Sequence, residues 1–151
     1  MIPLLRAFTS VGYVGRIPGA PGTYGSLVTL PLAYFWTSTV TDNIFLTLLF
    51  IVILAGLGIA ASNLVAGAMG IEDPGEIVID EVVGQWIALL AIPNHWGYWL
   101  AAFILFRIFD IWKPWLIDKV QKYPGGWGIM LDDVCAGMLA FLLIQGTAAV
   151  L

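Results

Sequence analysis

From Ile44 to Met69 the chain runs for about 26 residues without a charged side chain. As an α-helix that run would be roughly 39 Å long at about 1.5 Å per residue, enough to cross the hydrocarbon core of a bilayer. A helix apolar on all sides needs either a membrane or the centre of a large protein around it. With 151 residues, the chain is too small for the second solution. A soluble domain of that size still leaves about 30% of its chain surface in water. Composition points the same way: 60% of residues are hydrophobic and 11% charged, with a mean hydropathy of +0.94. An ordinary soluble domain is about a quarter charged. The expected fold is all-α, an integral-membrane helical bundle forming a single domain over residues 1–151.

About five apolar helices are expected, over residues 24–40, 44–69, 77–92, 96–112 and 128–150. The third is short for a span and is expected to be short or re-entrant. Turn signals separate them at Thr41-Asp42-Asn43, Asp73-Pro74, Pro93-Asn94-His95 and Lys113-Pro114. Thr23 or Ser26 is a candidate N-cap for the first helix. Period-two alternation is too weak for the many strands of a barrel. Arg6, Gly12, Gly15 and Arg16 interrupt the N-terminal segment, so no cleavable signal peptide is expected. Cys135 lies in an apolar run and reads as a small packed hydrophobe, and His95 as a turn residue.

Charge is confined to a few clusters. Glu72, Asp73, Glu76, Asp80 and Glu81 make one; Asp110, Asp132 and Asp133, with Asp118 nearby, make another. Ionisable groups at membrane depth cost roughly 2.5–3.5 kcal/mol each on insertion scales, so they persist where they pair, bind an ion or do chemistry. Asp80, Gly84 and Ala88 share a helix face, as do Asp132, Ala136 and Ala140, with Asp133 and Gly137 on the adjacent stripe. Small residues beside the acids let the third and fifth helices approach closely and gather two acidic pairs. Such a pocket needs a cation, and an all-oxygen ligand set of Asp80, Glu81, Asp132 and Asp133 selects Mg²⁺ over Zn²⁺.

The basic residues supply a phosphate site. Arg107, Asp110 and Lys113 follow one another at steps of three, so a carboxylate can hold a cation that reaches a phosphoryl group. Gly-rich runs around residues 12–25 and 125–128 each lead into an apolar helix, where exposed N–H groups favour an anion. Arg16, Thr23, Ser26 and Lys113 are the candidate substrate contacts. A net charge of −4 with six basic residues excludes a nucleic-acid partner. Nothing in the sequence calls for an obligatory protein partner. Both acidic clusters sit with the basic residues, whereas the turns at 41–43 and 93–95 carry no Lys or Arg. The positive-inside bias therefore places the clusters on the cytoplasmic side.

Four phrases resemble the motifs of the phosphatidylglycerophosphatase A family: PGAPGTYGS (18–26), DPGEIVIDEVVGQW (73–86), FRIFDIWKPW (106–115) and GGWGIMLDDVCAG (125–137). Their order and spacing cover most of the chain from Arg16 to Ala140. Leu116 and its neighbours lack a second Pro expected of the family, a departure that touches none of the chemistry. The resemblance implies a Mg²⁺-dependent phosphatase of the bacterial cytoplasmic (inner) membrane. Its phospholipid substrate would be phosphatidylglycerophosphate and its product phosphatidylglycerol, a step of phospholipid biosynthesis. It also implies a compact bundle in which some segments pack on one another rather than on lipid.

Asp80, Glu81, Asp110, Asp133 and Arg107 are then the candidate catalytic residues. A metal ion would neutralise phosphate charge and activate water, while Arg107, Lys113 and Arg16 would hold the phosphoryl oxygens. Attack by water and by a carboxylate nucleophile both fit the sequence. Water is favoured because no Asp lies in a DxD setting. Histidine-based lipid phosphatases are disfavoured by the solitary His95. The alternative of another class is a cation-coupled transporter or channel component, whose acids would sit near mid-membrane between repeats.

Overall fold

The computed structural model describes residues 1–93 and 95–148. The turn residue Asn94 and the last residues of the fifth expected helix, 149–150, lie outside the described residues. Among the described residues there are seven α-helices and no strand. They are α1 (Ile2–Thr9), α2 (Pro21–Phe35), α3 (Ile44–Met69), α4 (Ile79–Ala88), α5 (Trp96–Trp112), α6 (Leu116–Val120) and α7 (Gly126–Ala148). The five expected helices correspond to α2, α3, α4, α5 and α7; α1 and α6 are additional.

α3 and α7 are long and apolar enough to cross a membrane. α3 starts where the Asn43 side chain accepts hydrogen bonds from the Phe45 and Leu46 N–H groups and ends at Gly70, in the left-handed conformation with φ 66°. It buries a narrow seam of small and medium residues that includes Gly58, Ala61, Ser62 and Val65, and exposes Phe45, Leu49, Val52, Ile53 and Leu57. A contiguous apolar face of that size is suited to lipid, not water.

α2 begins differently from the capping expected of Thr23 or Ser26. Pro21 takes the first turn, needing no N–H there, and no side chain caps the helix. Ser26 instead donates to the Gly22 carbonyl oxygen at 2.8 Å. At the other end, the Thr37, Ser38 and Thr39 hydroxyls donate back to the carbonyls of Ala33, Tyr34 and Phe35. The chain continues there as a π-helical turn over Trp36–Val40, and these bonds tie its hydroxyls to carbonyls of the preceding turn.

α4 is the centre of the molecule. Eight of its ten residues are buried, and α2, α3, α5 and α7 all pack against it. It is too short to span, in keeping with its reading as a short or re-entrant helix. Its tightest approach is to α7. A Cβ on Gly137 would strike the Gly84 carbonyl, and one on Gly84 would meet Phe106 and the Asp133 carbonyl. The small-residue stripes thus let backbone touch backbone between these two helices. Beyond α4, Trp36 stacks on Phe50 at 4.4 Å between centroids and Trp86 meets Phe50 edge-on at 4.8 Å, closing one end of the core.

The two ends of the bundle differ. One gathers Asp42 with Ile92 and Trp99 around a cavity and carries no basic residue. The other carries the ion pairs of Arg6, Arg16, Arg107 and Lys113. Exposed aromatics occur at both, Phe35, Phe45 and Trp96 at the first and Trp112, Trp115, Tyr123 and Trp127 at the second. Aromatic side chains concentrate at the two interfaces of a membrane protein in this way.

Candidate active site

Asp80 and Glu81 occupy the first turn of α4, where the helix dipole favours negative charge. Asp132 and Asp133 lie in the second turn of α7 and Asp110 in the last turn of α5. The Gly84–Gly137 contact places these turns side by side. Carboxylate oxygens of Asp80, Glu81 and Asp133 lie within 4.8 Å of one another, as do those of Asp110, Asp132 and Asp133. Asp133 belongs to both sets, so three helices bring five acids into two adjoining groups.

Two cations face this cluster. Arg107 Nη1 is 2.6 Å from Asp110 Oδ2 and donates to Ser26 Oγ at 3.4 Å. Lys113 Nζ is 2.6 Å from Asp132 Oδ2. Lys113 was expected to continue the Arg107–Asp110 face. The backbone turns left-handed there, φ 47°, and carries the ammonium across to α7. With all five acids ionised, two cations leave three negative charges uncompensated.

The deficit is concentrated at Asp80, Glu81 and Asp133. Asp80 Oδ1, Glu81 Oε2 and Asp133 Oδ1 are buried and have no hydrogen-bond partner among the described residues. Unpaired buried carboxylate oxygens are costly. Asp80, Glu81 and Asp133 are also one of the two carboxylate sets that could hold a metal ion, and an oxygen-only donor set suits a hard cation.

The remaining candidates divide into two groups. Ser26 and Thr23 stand beside Arg107, Thr23 forming with it part of the wall of an apolar groove on α5. A Cβ on Gly22 would displace the Glu81 carboxylate and crowd Arg107. Arg16 is held elsewhere: its Nε lies 3.0 Å from Glu76 Oε2, and the same carboxylate receives Arg6 Nε at 2.6 Å. The Arg6 hydrogen bonds hold the Glu76 carboxyl below its ordinary range, with the Arg16 charge adding to the effect. This cluster fastens α1 and the 14–16 turn to the segment leading into α4.

Arg6, Glu76 and Gln85 were not among the candidate site residues. Gln85 is wholly buried one turn beyond Glu81, and neither side-chain polar atom has a partner among the described residues. A Gln inside the apolar run that follows Glu81 was the available signal. A cavity of about 640 Å³ with a mixed polar and apolar lining reaches Asp132. Glu72, Asp73, Lys122 and the Gly125 loop line it. The site therefore has an aqueous approach past Asp132 and an apolar approach past Arg107.

Residues 7–148 match the family model described as Phosphatidylglycerophosphatase A. A Bacteroides thetaiotaomicron protein, provisionally named a phosphatidylinositol-3-phosphatase, is 44% identical over 86% of this chain and 84% of its own length. Proteins named phosphatidylglycerophosphatase A in Escherichia coli and Haemophilus influenzae are 41% and 42% identical. They match over 83% and 86% of this chain and 73% and 80% of theirs. No solved structure matches the chain.

Proposed function

The chain belongs to the phosphatidylglycerophosphatase A family, and on that premise we propose that it hydrolyses the terminal phosphate monoester of phosphatidylglycerophosphate with Mg²⁺. Phosphatidylglycerol and inorganic phosphate are the products. The observation that carries this reading is the convergence of five carboxylates with Arg107 and Lys113 at one end of an apolar bundle. A transporter reading has no comparable support, since the acids gather at one end and no repeat is present in the sequence.

Asp80, Glu81 and Asp133 would hold the Mg²⁺, with Asp132 completing the set. When bound, the ion supplies charge neutralisation of the phosphoryl oxygens and makes water a better nucleophile. Arg107 binds the phosphoryl group through the guanidinium nitrogens not committed to Asp110, and Asp110 fixes its orientation. Lys113 neutralises Asp132 and stands beside the same oxygens. The water oxygen bonds to phosphorus, the bond from phosphorus to the glycerol oxygen breaks, and a proton ends on that glycerol oxygen. A carboxylate oxygen of the cluster takes the proton that the water releases and returns one to the departing glycerol oxygen.

Phosphate release from purified protein should require Mg²⁺ and stop in excess EDTA. Turnover that continues in EDTA would end the metal assignment. Phosphatidylinositol 3-phosphate belongs in the same assay, given the name of one relative; a higher kcat/KM for it would overturn the headgroup assignment.

The proposed location is the bacterial cytoplasmic membrane, crossed several times, with the site facing the cytoplasm. The supporting feature is the gathering of all six basic residues toward the site end. A cysteine at Gly75, where a side chain meets open space, and one at the exposed Tyr123 should label only from the cytoplasmic side. One at Asp42 should label only from outside, all in a Cys135→Ala background. Labelling of Gly75→Cys and Tyr123→Cys from opposite sides would break the one-face site. Gly126 is unsuited to this test, because a Cβ there would strike the Ile59 carbonyl.

A further inference from the structure

Resting on the phosphatase reading, we infer that the groove on α5 beside Arg107 holds one acyl chain of the phospholipid substrate. The groove is shallow and open to the side, with about 460 Å³ of space above its floor. Its walls are Phe103, Ile104, Ile108, Ile111 and Trp112, with almost no polar surface. The polar exceptions in the wall are Arg107 and Thr23. Arg107 is the same guanidinium that reaches Ser26 and Asp110. One side chain therefore borders both the carboxylate cluster and the apolar groove.

That juxtaposition matches the chemistry of a phospholipid, an anionic headgroup joined directly to hydrocarbon. Direction matches as well. Trp112 is exposed at the charged end of the bundle, where an indole suits the membrane interface. From Trp112 to Ile104 the wall runs roughly 12 Å along the helix, away from the charges and toward the apolar middle of the bundle. Ile104 and Ile108 are each 47% exposed, so the groove opens sideways to lipid and a chain can enter without leaving the bilayer. The headgroup then meets Arg107 while the hydrocarbon stays in the groove. The aqueous cavity past Asp132 leaves a separate path for water and released phosphate.

The consequence is a discrimination located on α5. Substrate with two long acyl chains gains affinity from Ile104 and Ile108, and the deacylated headgroup, glycerophosphoglycerophosphate, does not. Ile104→Trp and Ile108→Trp fill the groove, and Ile104→Asn makes its wall polar. Each should lower the ratio of kcat/KM for dioleoyl to deacylated substrate by about tenfold, mostly through KM, as displaced methylenes lose their apolar surroundings. Affinity for the dioleoyl lipid, measured in EDTA where turnover stops, should weaken by a similar factor. Leu49→Trp, on the exposed face of α3, should leave both quantities at wild-type values. An unchanged ratio and unchanged affinity in all three groove variants would overturn the acyl-chain assignment, as would an equal loss in Leu49→Trp. Failure of wild type to release phosphate from either substrate would instead count against the phosphatase reading, and the binding measurement would still decide the groove.

Discussion

Asp133→Asn and Asp80→Asn are each expected to lower Mg²⁺-dependent phosphate release by about 10³-fold or more. The magnitude follows from the metal. A bound divalent ion contributes several kcal/mol of charge stabilisation in the transition state, and every 1.4 kcal/mol, approximately, is a factor of ten in rate. Asp133 is the oxygen donor common to both acidic sets, and Asp80 has a buried oxygen with no protein partner. An amide keeps the shape of either side chain and removes its charge. The fold should therefore survive, and in the metal-free protein it should gain stability, because repulsion within the cluster falls by one charge. Two measurements separate this from general damage. Wild-type thermal stability in detergent should rise with added Mg²⁺, whereas the Asp133→Asn protein should show little rise and should start from a higher metal-free value. A variant that keeps wild-type turnover would remove its residue from the metal set.

The same cluster indicates what a sequence can disclose about a protein of this kind. α3 and α5 were legible to the residue, because a strongly apolar run bounded by turn signals has little freedom in where it starts and stops. The stripes Asp80-Gly84-Ala88 and Asp133-Gly137 were legible as faces from spacing alone. That Gly84 lies against Gly137 was not, since spacing defines a face and leaves its partner open. Lys113 failed the spacing argument for a local reason: i to i+3 logic holds inside a helix, and Lys113 is the residue at which the backbone leaves it. Ser26 failed as a cap because Pro21 starts α2 earlier, and it became instead a buried contact of Arg107. The anchoring of α1 depends on Arg6 meeting Glu76, residues 70 apart in sequence. No periodicity reports a contact of that range, and the Gly and Pro residues that follow α1 mask its short apolar pattern.

Arg107→Lys is expected to reduce kcat by about 10²-fold while leaving stability in detergent nearly unchanged. Arg107 uses Nη1 for Asp110 and Ser26, and its Nε is buried without a partner among the described residues. The guanidinium therefore has donors to spare beside the carboxylate cluster, in a planar fork that matches two phosphoryl oxygens at once. A lysine at this position keeps the positive charge and can keep the ion pair with Asp110, so the cost to the fold is small. It cannot keep the second parallel N–H bond, and an ammonium is a point charge on a flexible stem. Charge spreads over the phosphoryl oxygens as the bond to the leaving glycerol oxygen breaks, so the lost contact weighs on the transition state more than on bound substrate. One such contact is worth roughly 10²–10³ in rate. The loss should appear in kcat with KM little changed, which distinguishes it from the groove variants, whose effect falls mainly on KM. If Arg107 served only to carry charge toward the membrane interface, lysine would serve equally well. A kcat near wild type in this variant would shift the phosphoryl contact to Lys113, the other cation at the cluster.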